Sequence, residues 1–221
     1  MSLLSTTSPD DYFATARTEI MPWLPEKVGR MLDLGCGTGA TTQLVKSCRT
    51  VTYSAGVELM ADKAERARAV CDHVWTGDIN ALVIEDDIAP GSLDLVLCLD
   101  VLEHLADPWK IISRLSALLA PGGRLILSVP NIRNYRFIWR LAMRGDFHYR
   151  DFGLLDRTHL RFFVRSTASE LATSAGLSLL SATSVQSWRA PDWRWFVNRL
   201  TRNHADEWLS KQWLVVAEKR P

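Results

Sequence analysis

The fold of this chain is decided by the stretch Met31-Leu-Asp-Leu-Gly-Cys-Gly-Thr-Gly-Ala40. An apolar run that contains one acidic residue is followed by three alternating glycines. This pattern predicts a strand that turns sharply into a helix, since glycine accepts backbone conformations that other residues avoid. The bend leaves room for a ligand to approach the backbone closely.

Two kinds of ligand suit such a bend, because Gly35, Gly37 and Ala40 also satisfy the G-x-G-x-x-G/A pattern of dinucleotide-binding proteins. Asp33 separates the two. A pyrophosphate is anionic and binds the bare N-terminus of a helix, so a carboxylate two residues before the first glycine would repel it. S-adenosylmethionine carries an ammonium and a sulfonium, and the same carboxylate would attract it.

Here the chain resembles the class I S-adenosylmethionine-dependent methyltransferases, whose first motif is an acidic residue followed by G-x-G-x-G. The resemblance implies that Asp33, Gly35, Cys36, Gly37 and Gly39 lie at the cofactor. It also implies S-adenosylhomocysteine as the product.

The amino-acid composition excludes few classes of protein. The chain has 221 residues, 47% of them hydrophobic, and a formal net charge of +1, which is typical of one globular domain spanning 1–221. The four cysteines have no C-x-x-C spacing, which argues against a disulfide framework and a zinc site. The sequence has no signal-like or membrane-spanning run, so we expect a cytoplasmic protein, with contact at a membrane surface left open.

Alternating segments predict a parallel sheet wrapped by helices over the first 130 residues or so. A helix from about Pro9 to Met21 precedes the sheet. The predicted strands lie at about 30–34, 52–57, 73–76, 93–98 and 123–129, and the predicted helices near 39–48, 61–70 and 107–119.

A helix from about Ser166 to Ala175 and strands at about 177–186 and 211–218 follow, which predicts an antiparallel hairpin at the sheet edge. The resemblance implies a doubly wound α/β fold with a seven-stranded sheet in the order 3-2-1-4-5-7-6. We expect the insertions 131–165 and 187–208 to form a lid over the methyl acceptor.

Acidic residues end the predicted strands at regular intervals, where open parallel sheets bind ligands. Glu58 ends the second strand and can accept hydrogen bonds from a ribose diol. Asp78 follows the third, where methyltransferases hold the adenine through a carboxylate and the next backbone N–H, here that of Ile79. The resemblance extends the predicted cofactor site to Leu59 and Leu99.

His159 is the main candidate for the chemistry. Methyl transfer needs alignment of donor and acceptor and, for a hydroxyl, removal of a proton, which histidine can accept near neutral pH. Asp156 and Thr158 could fix its tautomer. An alternative is that His159 anchors the insertion to the sheet, and Asp100 would then be the next candidate base.

The candidate metal ligands are Asp100, Glu103 and His104, whose spacing could place them on one side of a helical turn. The segment resembles the Glu-x-x-Glu-His run of the ubiquinone-biosynthesis O-methyltransferases, which is associated with a divalent metal. Here the first position is the shorter aspartate, so we predict that no metal is bound. Glu103-His-Leu would instead cap and start the fourth helix.

The acceptor is indicated by weaker signals. The run Asp156-Arg-Thr-His-Leu-Arg-Phe-Phe163 is similar to that of bacterial methyltransferases associated with sugar and surface-polysaccharide assembly. Leu99-Asp-Val-Leu102 lacks the Asn/Asp-Pro-Pro-aromatic run of base methyltransferases, so we expect no specific nucleic acid partner. These signals predict O-methylation of a small or lipid-linked acceptor, such as a sugar-containing glycan precursor or a quinone-like phenol.

Arginines and aromatic residues are interleaved in both insertions, a combination that suits an anionic headgroup, a sugar or a quinone. A solvated helix face explains the same pattern. Two other classes stay open: a non-catalytic module that docks on a partner or membrane, and a nicotinamide-dependent oxidoreductase, which Asp33 disfavours. The residues concerned are Arg133, Arg136, Arg140 and Arg144 on one predicted helical face, and Trp188, Arg189, Trp193, Arg194, Trp195, Arg199, Arg202 and Trp208.

Overall fold

The computed structural model describes residues 15–185, 192–202 and 204–220. Within them, seven strands form one sheet in the order β3-β2-β1-β4-β5-β7-β6, which confirms the predicted order and the α/β fold. The strands are β1 Arg30–Leu34, β2 Tyr53–Glu58, β3 His73–Thr76, β4 Leu93–Leu99, β5 Leu119–Pro130, β6 Ser178–Ser184 and β7 Gln212–Glu218.

The α-helices of the described residues lie between these strands. They are α1 Ala40–Cys48, α2 Ala61–Ala67, α3 Pro108–Leu118, α4 Tyr135–Arg144, α5 Arg165–Thr173, α6 Trp193–Leu200 and α7 Asp206–Leu209. Short 3-10 helices occur at Thr18–Trp23, Ile84–Asp86 and Leu102–His104. Residues 9–14 of the helix predicted from about Pro9 to Met21 fall outside the described residues, and the helical part of the remainder begins at Thr18, in the first of these 3-10 helices.

The first three strands are parallel, and the first two are almost entirely buried. Every residue from Met31 to Leu34 in β1 is buried, and so is every residue from Ser54 to Glu58 in β2. Parallel strands covered on both faces have this near-continuous apolar character. In their register Leu34 pairs with Val57 and Val57 with Trp75, so the carboxyl ends of β1, β2 and β3 lie at the same edge.

Two element boundaries differ from the prediction. Helix α2 ends at Ala67 and continues as turns, and β5 begins at Leu119, about four residues earlier than expected. The cause in β5 is Gly123. A Cβ built there would lie 2.6 Å from the Leu93 carbonyl oxygen, so glycine lets the strand backbone approach its neighbour directly after α3.

The edge hairpin is confirmed. Strands β6 and β7 are antiparallel, with a register irregularity between Leu179 and Ser181. Residues Trp213 to Ala217 of β7 are buried, whereas β6 exposes Leu179 and Leu180 as the edge strand.

Residue contacts divide the chain into two compact units. The first runs to Leu97 and includes Ala117–Arg124. The second comprises Cys98–Ser116 and the chain from Leu125 onward. The interpretation of residues 1–221 as one domain stays a prediction. No helix of the described residues combines the length and the apolar character needed to cross a bilayer.

Candidate functional site

The glycine loop lies at the carboxyl end of β1 in the first unit. Gly35, Gly37 and Gly39 have φ values of 73°, 56° and 84°, in the left-handed region where a Cβ is disfavoured. Gly39 is the N-cap of α1. The backbone itself therefore requires the three alternating glycines at the predicted strand-to-helix turn.

Glu58 holds this loop in place. Its carboxylate is buried, and its two oxygens accept hydrogen bonds from the backbone N–H groups of Gly37 and Met60, each at 2.9 Å. A carboxylate oxygen can accept more than one hydrogen bond, so both oxygens keep acceptor capacity for a ribose diol. Glu58 can thus support the loop and bind the ligand, as predicted.

Asp33 lies behind the loop and is fully buried. Its Oδ2 accepts a hydrogen bond from the Thr42 hydroxyl of α1 at 2.9 Å. Burial raises the pKa of Asp33 to about 7, the Thr42 hydrogen bond opposes this rise, and the nearby charge of Glu58 adds to it. A cation bound close by would restore the ionised form. Sequence reasoning missed Thr42, whose signal is a hydroxyl in the first turn of α1.

Cys36 packs into the interior. Its backbone N–H and that of Gly35 donate to the Val57 carbonyl at 3.1 and 2.8 Å. Its sulfur occupies the space beside Gly56, where a Cβ would lie 2.6 Å from it. The structure gives the Cys36 side chain a packing role, and its predicted contact with the cofactor stays a prediction.

The ends of β2 and β3 supply the other predicted cofactor residues. Asp78 is exposed, and its Oδ1 accepts hydrogen bonds from the backbone and side-chain amides of Asn80. Ile79 is buried, whereas Leu59 is 69% exposed. An exposed apolar side chain beside Glu58 is suited to contact a flat base such as adenine.

Leu99 and Asp100 lie in the second unit. Leu99 ends β4 and is half-buried. Asp100 has a φ of 58°, rare for a residue other than glycine, and its Oδ1 accepts hydrogen bonds from the Ser128 hydroxyl at 3.0 Å and from the Gln212 side-chain amide. The roles of Leu99 in cofactor binding and of Asp100 as a base stay predictions.

The prediction that Asp100, Glu103 and His104 share one side of a helical turn is wrong. Glu103 and His104 lie in the 3-10 helix Leu102–His104, and α3 begins later, at Pro108, so they do not start the fourth helix either. The physical reason is the left-handed backbone of Asp100, which turns its carboxylate toward β5 and β7.

The structure brings Glu103 and His104 together with His159 instead. A carboxylate oxygen of the buried Glu103 and a ring nitrogen of each histidine lie within 4.8 Å of one another. The two rings pack edge to face, with centroids 4.7 Å apart. Of the donors that the resemblance implies, Glu103 and His104 lie in this group and Asp100 does not. The prediction that no metal is used stays a prediction.

The backbone of Glu103 holds the insertion that carries His159. Its carbonyl accepts hydrogen bonds from the N–H groups of Leu160 and Arg161 at 2.8 and 3.0 Å. The Arg161 guanidinium also donates to the Ala106 carbonyl. These contacts fix the segment that follows His159 against the turn that carries His104.

The tautomer of His159 is set by a different group from the one predicted. Its Nδ1 lies 3.1 Å from the Leu154 carbonyl oxygen, which can only accept, so Nδ1 carries the proton and Nε2 keeps a lone pair. Asp156 and Thr158 were expected to do this. The Thr158 hydroxyl contacts His104 instead.

The predicted arginine face is only partly formed. Helix α4 begins at Tyr135, so Arg133 precedes it and forms an ion pair with Glu207. Arg140 is paired with Asp146. Internal carboxylates therefore take two of the four guanidinium groups, while those of Arg136 and Arg144 lie over the rings of Tyr135 and Trp139. Trp188 and Arg189 lie outside the described residues.

Comparison with known proteins decides the family. A family model described as a methyltransferase domain matches residues 10–182. The chain belongs to the methyltransferase domain family. This membership confirms the predicted family resemblance.

The chain is 31% identical over 161 residues to a protein named ubiquinone biosynthesis O-methyltransferase from Xanthomonas euvesicatoria pv. vesicatoria. A protein of the same name from Xanthomonas axonopodis pv. citri is 30% identical over the same length. Each match covers 67% of this chain and 65% of the relative, so the match spans less than two thirds of these relatives' own length.

Solved structures support the fold. An S-adenosylmethionine-dependent methyltransferase from Archaeoglobus fulgidus superposes with a TM-score of 0.64 at 16% identity, covering 95% of this chain and 97% of that chain. One from Mesorhizobium loti gives 0.62 at 17% identity, covering 94% and 100%. At these identities the likeness concerns the fold alone.

The buried Asp33 generates a prediction about pH. Because its pKa in the folded state is above its ordinary value of 3.8, its ionisation costs stability as the pH rises toward about 7. A cationic ligand favours the ionised form. The affinity for S-adenosylmethionine should therefore rise between about pH 6 and 8, with proton release on binding, measured by calorimetry in buffers of different ionisation enthalpy. Asp33→Asn should abolish this dependence, and an affinity of wild type that is constant over this range would contradict the assignment.

Glu58→Ala should weaken binding of S-adenosylhomocysteine by roughly 1–3 kcal/mol, because it removes charge-assisted hydrogen bonds to the ligand and to the loop. Isothermal calorimetry measures the change. Glu65→Ala is the matched control, since Glu65 is an exposed carboxylate of α2 paired with Arg68. Equal affinity of Glu58→Ala and wild type would remove Glu58 from the site.

Treatment with a chelator tests the prediction that the chain binds no metal. With Asp100 turned toward Ser128 and Gln212, we expect turnover to be unchanged after treatment with a strong chelator and dialysis. Turnover that is lost on chelation and restored by a divalent ion would show that Glu103, His104 and His159 hold a metal.

Proposed function

We propose that this chain transfers the methyl group of S-adenosylmethionine to a hydroxyl of a small or lipid-linked acceptor and releases S-adenosylhomocysteine. The observation that carries the proposal is the glycine loop held by Glu58, with the buried Asp33 behind it. A site with two carboxylates at a left-handed loop favours a cationic nucleoside ligand over an anionic dinucleotide.

His159 is the proposed general base. S-adenosylmethionine would supply an activated methyl group, and Nε2 of His159 would take the proton that the acceptor hydroxyl loses on methylation. The Leu154 carbonyl holds the opposite nitrogen as a donor, which supports this direction of proton transfer. Asp100 is the second candidate, although its carboxylate already accepts two hydrogen bonds.

Two acceptor classes share this chemistry. The similarity of residues 156–163 to sugar-associated methyltransferases supports a sugar or glycan precursor. The relatives named ubiquinone biosynthesis O-methyltransferase support a quinone-type phenol instead. In both cases the acceptor is a hydroxyl, and the rings of Tyr135 and Trp193, with centroids 6.4 Å apart, offer an aromatic surface between the two insertions.

A membrane surface is the proposed route to a lipid-linked acceptor. Helix α6 has no buried residue, and Leu200 on it is 86% exposed. Trp193 and Phe196 of the same helix are also exposed, and the Arg199 guanidinium lies over the Trp195 ring. A short helix with exposed aromatic and cationic side chains is suited to the interface of an anionic bilayer.

Replacement of the proposed base should separate rate from affinity. His159→Asn should lower kcat by about 10²–10⁴ and leave the affinity for S-adenosylhomocysteine unchanged, because the base acts on the acceptor proton. His204→Asn is the matched control, since the His204 Nδ1 also contacts a backbone carbonyl, that of Thr201. A near-normal kcat of His159→Asn at saturating acceptor would contradict the role of His159 as the base. If His159 instead anchors the insertion, the variant should have a lower thermal stability.

Vesicle binding tests the membrane proposal. The protein should sediment with phosphatidylglycerol vesicles and not with phosphatidylcholine vesicles, and Leu200→Ala with Phe196→Ala should weaken the binding. Leu179→Ala, which removes an exposed leucine from the edge strand β6, should have no effect. Equal sedimentation with both kinds of vesicle, or no effect of the α6 variants, would contradict the role of this helix.

A further inference from the structure

The segment around His159 also contains a chain of hydrogen bonds that ends on His104. The Thr158 hydroxyl donates to Oδ1 of Asp156 at 2.7 Å, and the Thr158 backbone N–H donates to the same oxygen at 2.8 Å. The Thr158 oxygen also lies 2.9 Å from Nδ1 of His104. The side chains of Asp156, Thr158 and His104 are therefore joined by hydrogen bonds, although His104 lies 54 positions before Thr158.

The direction of each bond in this chain follows from proton counting. Burial raises the pKa of Asp156, but the hydroxyl and amide hydrogen bonds from Thr158 outweigh it and the pKa is lowered, so Asp156 is an ionised acceptor. The Thr158 hydroxyl has one proton, which it donates in the hydrogen bond to Asp156. Its oxygen can then only accept from His104, so Nδ1 of His104 carries a proton and Nε2 keeps the lone pair.

The His104 ring is neutral in this arrangement. Burial lowers its pKa, and the neighbouring His159 lowers it further. The titratable groups that face His104 are Glu103 on its own turn, and His159 and Asp156 on the insertion, with Asp100 acting from the end of β4. A neutral ring of fixed orientation, 4.7 Å from His159, limits how the His159 ring can turn.

We propose that Thr158, supported by Asp156, is a positioning residue for methyl transfer: it fixes the tautomer and orientation of His104, and the His104 ring holds His159 in the orientation that accepts the acceptor's proton. The inference rests on the proposed role of His159 as the base. By this proposal, the segment from Asp156 to Thr158 increases kcat and does not contribute to the binding of either substrate.

Thr158→Val tests this, because valine keeps the shape of threonine and loses the hydroxyl. We expect kcat to fall about 10-fold, with the KM for the acceptor and the affinity for S-adenosylhomocysteine changed less than about twofold. Thr158→Ser keeps the hydroxyl and should restore kcat. Thr173→Val is the matched control, since it removes a threonine hydroxyl that donates to the Ser169 and Glu170 carbonyls within α5.

Nitrogen NMR of the histidine rings supplies a readout that does not depend on activity. In wild type, the His104 ring should be the neutral tautomer with the proton on Nδ1. Thr158→Val should change the fraction of His104 rings in this tautomer. A proton on Nε2 of His104 in wild type would overturn the proposal, even if the variant does not fold. An altered tautomer in Thr158→Val with unchanged kcat would overturn it as well.

The two variants also distinguish the positioning role of Thr158 from the proposed role of His159 as the base. If His159→Asn lowers kcat and Thr158→Val does not, the base stands and the positioning role falls. If neither variant lowers kcat while the His104 tautomer is as described, the base assignment itself has failed.

Discussion

The two hydrogen bonds that the Glu58 carboxylate accepts from the Gly37 and Met60 amides fix the geometry of the first unit. They join the end of β2 to the loop that follows β1. Without them, three alternating glycines with left-handed backbone would leave the loop with many accessible conformations, since glycine loses more conformational freedom on ordering than any other residue. The same carboxylate is the group that a ribose diol would bind, so loop order and cofactor binding depend on one side chain.

The second unit uses a main-chain acceptor for a comparable purpose. The Glu103 carbonyl receives two N–H groups from the insertion and so places His159 beside His104, although 55 positions separate the two. The side-chain contact from Thr158 to His104 reinforces this arrangement. In both histidines a hydrogen bond at Nδ1 orients the ring, with the Leu154 carbonyl in His159 and with the Thr158 hydroxyl in His104.

The strand order and the placement of Asp33, Glu58 and Asp78 at strand ends could be predicted from sequence, because they follow from local glycine and hydrophobic patterns and from a strong family resemblance. Contacts between distant segments could not. Nothing local shows that Asp100 turns toward Ser128 and Gln212, or that Thr158 serves His104 and not its neighbour His159. Nor does periodicity show which arginines have internal partners: Arg133 and Arg140 have the spacing of a binding face but form ion pairs with Glu207 and Asp146.

The most direct test of the account compares two ligands in thermal unfolding of the wild-type chain. S-adenosylhomocysteine at about 100 times its Kd should stabilise the folded state by about 2.7 kcal/mol and raise the Tm, because it binds the native state alone. NAD at the same concentration should leave the Tm unchanged, since its pyrophosphate would meet Asp33 and Glu58. A rise in Tm with NAD and none with S-adenosylhomocysteine would contradict the assignment of this site to a methyl donor.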